Sequence, residues 1–153
     1  MASKPRKQTV VLASGVFDLI HLGHVRFLEE AKLSGGENAW LVVVVARDST
    51  VEKMKGKKPI VSEDQRRALV ESLRVVDEAV LGCESLDIGE IIDQVKPDVI
   101  ALGYDQADMD KQVRAYVASH HLRVQIVRIG KFRENSLDSS TKIKQKIIDR
   151  LSS

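Results

Sequence analysis

The sequence predicts a single α/β domain of Rossmann-like type, in which a five-stranded parallel sheet carries helices on both faces. Short apolar segments rich in β-branched residues alternate with amphipathic helical segments throughout the 153 residues. This alternation is typical of parallel strands joined by right-handed helical crossovers. The segment Trp40 to Ala46 also contains four consecutive valines, as expected of a central strand that is buried on both faces.

The order of the elements follows from the spacing of apolar residues and chain breakers. Strands are expected at Thr9 to Ala13, Trp40 to Ala46, Glu78 to Leu81, Asp98 to Leu102 and Val124 to Ile129. Helices are expected at Leu22 to Leu33, after Ser62 as far as Leu73, at Ile88 to Val95, at Asp110 to His120 and at Ser139 to Leu151.

Three local features complete this prediction. Residues 1–8 are expected to be flexible, and residues 47–60 are expected to form a polar, basic loop with room for a short helix. Ser62 and Gln65 have the spacing of a capping box, in which each side chain accepts a hydrogen bond from the other's backbone amide at the start of a helix.

Composition and charge narrow the range of functions. The chain has 24 Lys and Arg residues against 22 Asp and Glu residues, a net charge of +2, which argues against a protein that coats nucleic acid. Six basic residues occur between positions 53 and 67, and this cluster favours a small anionic ligand. No apolar run approaches the roughly 20 residues of a membrane helix, so no membrane partner is expected. A single cysteine, Cys83, fits an intracellular, cytoplasmic protein.

The strongest functional signal is His21-Leu22-Gly23-His24, between the first strand and the first helix. His21 and His24 are three positions apart and therefore share one face of the first helical turn. A helix N-terminus offers unpaired amides and a partial positive charge, and Gly23 leaves room for a phosphate to approach. These features predict a site that binds a triphosphate and stabilises charge as a phosphoryl bond breaks.

Two other interpretations of the histidines stay open at this point. Both rings can simply be satisfied by hydrogen bonds within the loop. Alternatively, the two rings can share a metal ion, but only Asp18 is near enough in the sequence to be a third ligand. We therefore expect no metal ion held by protein side chains alone.

The ten residues Gly15-Val16-Phe17-Asp18-Leu19-Ile20-His21-Leu22-Gly23-His24 closely resemble the signature of the cytidylyltransferase-like nucleotidyltransferases. That signature is Gly-x-Phe-Asp-x-x-His-x-Gly-His, and each of its fixed positions is present. The resemblance continues along nearly the whole chain. It includes Arg47-Asp48, the lysine-rich segment 53–59, residues 63–67, Gly103-Tyr104-Asp105-Gln106 and Ser139-Ser140-Thr141-Lys142-Ile143.

The resemblance implies roles for individual residues. His21 and His24 would contact the α- and β-phosphates of the nucleotide, while Lys57 would approach the departing pyrophosphate with support from Arg66. The implied nucleotide-binding residues are Gly15, Val16, Phe17, His21, Leu22, Gly23, His24, Asp105, Phe132, Ser139, Ser140 and Thr141. The implied acceptor-binding residues are Asp18, Arg47, Asp48 and Lys55.

Several of these residues also have a purely structural interpretation. Asp18 can order its loop by accepting backbone hydrogen bonds, and Asp105 can be a turn residue. Ser139, Ser140 and Thr141 can cap the last helix, which is compatible with phosphate binding because both use the same amides. A lone aromatic residue such as Phe132 can stack on a ring of the substrate but is more often a packing residue.

Two branches of the family fit the chain. Residues 46–51, 55–60 and 102–106 are similar to archaeal-type FAD synthases, which transfer AMP from ATP to FMN. Glycerol-3-phosphate cytidylyltransferases, which use CTP, usually carry Gly-Asp-Asp-Trp at the last of these segments. They also carry Arg-Thr-x-Gly-Ile-Ser before the last helix, where this chain has Arg133-Glu134-Asn135-Ser136-Leu137-Asp138. The resemblance favours ATP and FMN, with CTP and glycerol 3-phosphate as the alternative.

The implied chemistry is the same in both branches. A phosphate oxygen of the acceptor attacks the nucleotide α-phosphorus in line and pyrophosphate leaves, so no protein nucleophile is needed. A divalent cation, most simply Mg²⁺ bound through the nucleotide phosphates, is expected as cofactor, and the resemblance suggests a homodimer. Two other classes are weaker: a non-catalytic nucleotide sensor, and an RNA-binding protein, which the 4% aromatic content disfavours.

Overall fold

A computed structural model describes residues 8–84, 87–132 and 137–153 of the chain. The expected flexibility of residues 1–8 therefore falls, apart from Gln8, outside the described residues. Strands and helices follow one another in the order β1 (Thr9–Gly15), α1 (Leu22–Leu33), β2 (Ala39–Val45), α2 (Asp48–Lys55), α3 (Glu63–Glu71), β3 (Glu78–Leu81), α4 (Ile88–Val95), β4 (Val99–Gly103), α5 (Ala107–Ser119), β5 (Gln125–Ile129) and α6 (Ser140–Ser152).

The five strands form one parallel sheet in the order β3-β2-β1-β4-β5, which confirms the predicted fold class. The chain moves outward from β1 through β2 to β3, then returns to the other side of β1 to form β4 and β5. The direction therefore reverses between β1 and β4, where ligands of such sheets bind beyond the carboxyl ends of the strands. Gly15 pairs with Val45, and Ala13 with Ala101, so the loops after β1, β2 and β4 emerge side by side.

The two faces of the sheet contribute to two separate hydrophobic clusters because successive strand residues point in opposite directions. On one face, Val11, Leu41 and Val43 pack with Leu28 of α1 and Val70 of α3. On the other face, residues from β1, β2 and β4 pack with helices α4 and α5; this cluster contains Leu12, Val44, Ile100, Leu102, Ile92 and Val113. The expected covering of the sheet on both faces is thus confirmed.

The segment between β2 and β3 agrees with the prediction in one respect and differs in another. The polar, basic segment 47–60 contains a short helix, α2, which buries Val51 and ends at Gly56 with a left-handed φ of 80°. The expected capping box is wrong, because the Ser62 side chain makes no cap hydrogen bond to α3.

Two acidic residues provide the capping instead, each from the opposite helix. The Asp48 amide donates to the Glu63 carboxylate at 2.9 Å, and the Glu63 amide donates to the Asp48 carboxylate at 3.3 Å. The first turns of α2 and α3 are therefore capped reciprocally, and the negative charges lie where the helix dipoles favour them. This pairing depends on tertiary contact and has no local spacing that would reveal it.

Helix α5 also begins earlier than predicted, at Ala107 instead of Asp110. Its first turn carries Asp108 and Asp110 and contains no fully buried apolar residue, so apolar periodicity does not mark it. The acidic side chains favour helix formation there through the helix dipole. Within the described ranges, none of the helices has the length and apolar character needed to span a membrane.

We expect Leu41→Ala to lower the free energy of unfolding by about 2–5 kcal/mol, because it leaves a cavity in the core. Leu41 is fully buried in β2, whereas Leu33, at the end of α1, is 70% exposed. Leu33→Ala is therefore the matched control, with an expected change within about 0.5 kcal/mol. Urea unfolding followed by circular dichroism measures both, and equal losses in the two variants would contradict this assignment of the core.

Candidate active site

The loop between β1 and α1, residues 16–21, is held in an unusual backbone conformation. Phe17 and Leu19 have left-handed φ angles of 56° and 51°, which cost energy for residues other than glycine and persist where the surroundings enforce them. The Phe17 ring is buried against Gly15, where a Cβ atom would lie 2.9 Å from the ring. Gly15 is therefore required by the packing of Phe17 two residues later.

The two histidines of the signature are in direct contact at the start of α1. Their rings stack with centroids 3.8 Å apart and an interplanar angle of 26°, and the Phe17 ring lies 5.4 Å from that of His24. The backbone amide of His21 donates to Nδ1 of His24 at 3.3 Å. Because Nδ1 of His24 accepts this bond, the proton of a neutral ring belongs on Nε2. His24 is thereby fixed with one ring nitrogen left to donate.

Both histidines are held in the neutral form. Burial, and then the neighbouring His21, lower the pKa of His24 to about 4, while Asp18 acts in the opposite direction. Burial also lowers the pKa of His21, opposed by Asp138. At neutral pH the two rings therefore add no net positive charge, and His24 offers its Nε2–H as a donor.

A second helix N-terminus lies beside the first. The Ser139 hydroxyl accepts a hydrogen bond from the Lys142 amide at 3.2 Å and so caps α6, as expected. The Ser140 hydroxyl donates to the backbone carbonyl of Asp18. A Cβ atom at Gly23 would lie 3.0 Å from the Asp138 carbonyl. The N-termini of α1 and α6 thus meet at the signature loop, a geometry suited to a polyanion.

The structure shows a packing requirement for glycine at position 23 that was not evident from the sequence. A Cβ atom there would lie 2.9 Å from the His21 ring as well as close to Asp138. Close packing of the protein therefore demands glycine at this position even before a phosphate approaches.

A basic segment follows α2 and is exposed to solvent. We call residues 56–62, which join α2 to α3, the basic linker. Lys57 and Lys58 lie in it, and Lys55 lies at the end of α2; all three are exposed. Within the part of the chain that the structure describes, these three lysines make no ion pair, so their charges are available to an anionic ligand.

Arg66 is placed differently from the expectation. The resemblance gives Arg66 a role in supporting Lys57 at the departing pyrophosphate, but its side chain is 0% exposed. Its guanidinium donates to three backbone carbonyls and pairs with Asp48. Because no part of the side chain reaches solvent in this conformation, Arg66 can support the pyrophosphate only through other residues, and that role stays a prediction.

Three of the expected acceptor-binding side chains form hydrogen bonds and ion pairs within the protein. Both carboxylate oxygens of Asp18 accept backbone amides of the basic linker, and only 5% of the residue is exposed. Asp48 pairs with Arg66, and Arg47 donates to the Gly82 carbonyl at 2.7 Å and to Glu63 at 3.1 Å. Asp18 thus accepts backbone hydrogen bonds, as its structural interpretation expects, but the amides belong to the basic linker and not to its own loop. Direct contact of these three residues with an acceptor stays a prediction.

The loop after β4 lies on the other side of β1. Asp105 is exposed there, and Gln106, which the sequence reasoning did not assign, connects the two strand ends. The Gln106 side chain accepts from the Gly103 amide at 2.8 Å and donates to the Ser14 carbonyl at 3.2 Å. Gln106 falls inside the motif-like segment 103–106, but its position before a helix gives no signal for such a bridge.

The remaining expected nucleotide-binding residues lie around this edge of the sheet. Leu22 is 39% exposed in the first turn of α1, Thr141 is exposed in the first turn of α6, and Phe132 is half-buried after β5. The Val16 carbonyl is bonded to Arg66. Of the altered segment Arg133–Asp138, only its last two residues lie within the described ranges.

The sequence profile described as cytidylyltransferase-like matches residues 12–146, a range that contains the signature loop and the stacked histidines described above. The chain belongs to the cytidylyltransferase-like family. Its expected fold and its signature are therefore those of an established group, and the stacked histidines are this chain's form of the family motif.

Similar proteins indicate which branch of the cytidylyltransferase-like family this chain resembles most. The chain is 48% identical to an FAD synthase of Aciduliprofundum boonei over 92% of this chain and 91% of that protein. It is 50% identical to an FAD synthase of Methanothermobacter marburgensis over 90% and 84% of the two chains. A crystal structure named as a lipopolysaccharide core biosynthesis protein, from Thermoplasma volcanium, superposes with a TM-score of 0.73 at 46% identity and covers 82% of this chain and 98% of its own.

The neutral state of His24 makes stability depend on pH. The unfolded chain takes up a proton at His24 near pH 6.5, whereas the folded chain does so only near pH 4. Between these values the unfolded state binds more protons, so we expect the free energy of unfolding to fall as the pH falls, by about 3 kcal/mol at most from this group. Measuring unfolding free energies from pH 7 to pH 4 for the native chain and His24→Asn checks this.

The variant should lose less stability over that range than the native chain. His121→Asn is the control, because His121 is exposed and lies far from the signature in the sequence. Identical pH slopes in His24→Asn and the native chain would show that the ring is not held neutral by folding.

Proposed function

We propose that this chain is an FMN adenylyltransferase, which transfers AMP from ATP to FMN and releases FAD and pyrophosphate. The FAD synthases that it resembles at 48% and 50% identity support this assignment over nearly their whole length. The single structural observation that carries it is the meeting of two helix N-termini over a stacked, neutral histidine pair. That arrangement provides fixed donors where a triphosphate must be held.

The transfer needs positioning and charge stabilisation more than covalent chemistry from the protein. A phosphate oxygen of FMN attacks the α-phosphorus of ATP and forms a new P–O bond, while the bond from the α-phosphorus to the bridging oxygen breaks and pyrophosphate leaves with that oxygen. In this proposal His21 and His24 donate to the α- and β-phosphate oxygens. The Nε2–H of His24 is already oriented by the bond that its Nδ1 accepts, so little reorganisation is needed there when negative charge builds up.

The other groups of the site would contact the β- and γ-phosphates and the departing pyrophosphate. The α6 N-terminus, with Ser139, Ser140 and Thr141, would hold the β- and γ-phosphates. Lys57, with Lys55, would approach the pyrophosphate as it departs, because both are exposed cations on a short segment. Asp105 and Phe132 would face the nucleoside, and their contacts with it stay predictions.

A divalent cation, most simply Mg²⁺, is part of this proposal as a companion of the triphosphate. Within the described ranges, no three metal-ligating side chains of the His, Cys, Asp and Glu type come together. Asp18 already uses both carboxylate oxygens to accept amides. Asp138, which also lies near His21, pairs with Lys142 and Lys131. The residues present therefore fit an ion carried by phosphate oxygens, where it would offset phosphate charge. The expected homodimer, the cytoplasmic location and the absence of a nucleic-acid partner also stay predictions.

The substrates are tested by pairing ATP or CTP with FMN or glycerol 3-phosphate and measuring pyrophosphate release in all four combinations. We expect pyrophosphate only from ATP with FMN, accompanied by FAD that is identified by chromatography. Pyrophosphate from CTP with glycerol 3-phosphate alone would overturn the assignment in favour of the other branch. No pyrophosphate from any pair, together with ATP binding, would point to a nucleotide sensor.

His24→Ala is expected to lower kcat at least about a hundredfold while the fold stays intact, because it removes a preorganised donor at the reacting phosphates. Steady-state FAD synthesis measures the loss, and circular dichroism checks the fold. His120→Ala is a suitable control, since His120 is exposed on the far end of α5. A folded His24→Ala variant with near-native kcat would refute the role given to this ring.

A further inference from the structure

The buried guanidinium of Arg66 connects three backbone segments that surround the candidate site. Nη1 donates to the Val16 carbonyl in the signature loop at 2.7 Å and to the Ala46 carbonyl after β2 at 2.8 Å. Nε donates to the Val61 carbonyl in the basic linker at 2.8 Å. Arg66 therefore fixes the distances between the end of β2, the signature loop and the linker.

Asp18 binds the same end of the linker as Arg66 does, through backbone amides. Its carboxylate accepts the Ile60 amide at 2.8 Å and the Val61 amide at 3.0 Å. Val61 is thus held at its carbonyl by Arg66 and at its amide by Asp18. Because Asp18 itself belongs to the signature loop, the loop and the linker are joined by two independent connections.

The charge of Arg66 is satisfied by its partners. Burying a cation is costly unless it is paired and its donors are bonded, and here Nη2 contacts the Asp48 carboxylate at 2.6 Å. The planar fork of arginine reaches several acceptors that lie in different directions, whereas the single ammonium of lysine cannot. The geometry of the guanidinium, and not its charge alone, is what the surrounding carbonyls require.

The linker is fixed at its other end as well. Gly56 ends α2, and its amide donates to the Glu52 carbonyl at 2.8 Å. Between Gly56 and Ile60 only residues 57–59 remain, and they include both linker lysines. The reach of Lys57 and Lys58 is therefore set by where the two ends of this short span are held.

We propose that Arg66 is a positioning residue, which holds the basic linker against the signature loop so that Lys57 meets the pyrophosphate end of the bound nucleotide. Arg66 touches no substrate in this role and acts only through the linker. The inference rests on the proposed function for the identity of the leaving group. It does not depend on which nucleoside or acceptor the chain uses.

The test is a double-mutant cycle between Arg66→Lys and Lys57→Ala, read out as binding of inorganic pyrophosphate by calorimetry. If Arg66 acts by placing Lys57, each single variant should weaken binding about fivefold, and the double variant should also be weakened about fivefold instead of the roughly 25-fold of independent effects. Thermal unfolding is measured in parallel. Arg67→Lys is the matched control, because Arg67 lies next to it on α3 and pairs with Glu71.

A loss of pyrophosphate affinity in the double variant equal to the product of the two single losses would overturn the proposal. A folded Arg66→Lys variant that binds pyrophosphate with the affinity of the native chain would overturn it as well. If Arg66→Lys does not fold, Asp48→Asn replaces it in the cycle, because it removes the charge opposite the guanidinium with little change in shape. The same criteria then apply. Pyrophosphate binding needs no acceptor, so a failure of this inference is distinct from a failure of the native chain to make FAD.

Discussion

The parallel direction of all five strands is the constraint on which the rest of this structure depends. Parallel strands place all their carboxyl ends at one edge, and the reversal of strand order between β1 and β4 opens a crevice there. The loops after β1, β2 and β4 are neighbours only for this reason. Each polar group of the candidate site is carried by one of these loops, by a helix that starts beside them, or by the basic linker that joins α2 to α3.

The site combines neutral donors with exposed cations, and the two kinds of group are placed on different parts of the chain. The histidine rings are half-buried where they stack on each other, with the Phe17 ring beside that of His24, and burial lowers the pKa of both histidines. The lysines lie on a short exposed linker, where no neighbouring side chain within the described ranges neutralises them. Oriented dipoles around uncharged rings, with exposed charges on a separate segment, suit the in-line transfer proposed above better than one rigid cationic pocket.

The fold and the phosphate site could be predicted from the sequence because their signals are local. The valine run of β2 and the ten residues from Gly15 to His24 each define an element without reference to distant residues. The burial of Arg66 and the absence of the predicted capping box could not be predicted in this way, because both depend on contacts between residues that are distant in the sequence. Arg66 looks like a member of a basic cluster in the sequence, and only its contacts with Val16 and Ala46 show that it is internal.

The reciprocal capping of α2 and α3 has a consequence for the dynamics of the molecule. If α2 unwinds, the Glu63 amide loses its acceptor, and if α3 unwinds, the Asp48 amide loses its own. Neither helix can then fray without weakening the start of the other, so the two belong to one cooperative opening unit. The linker lysines sit between them, and hydrogen exchange in the linker should therefore follow the opening of both helices together.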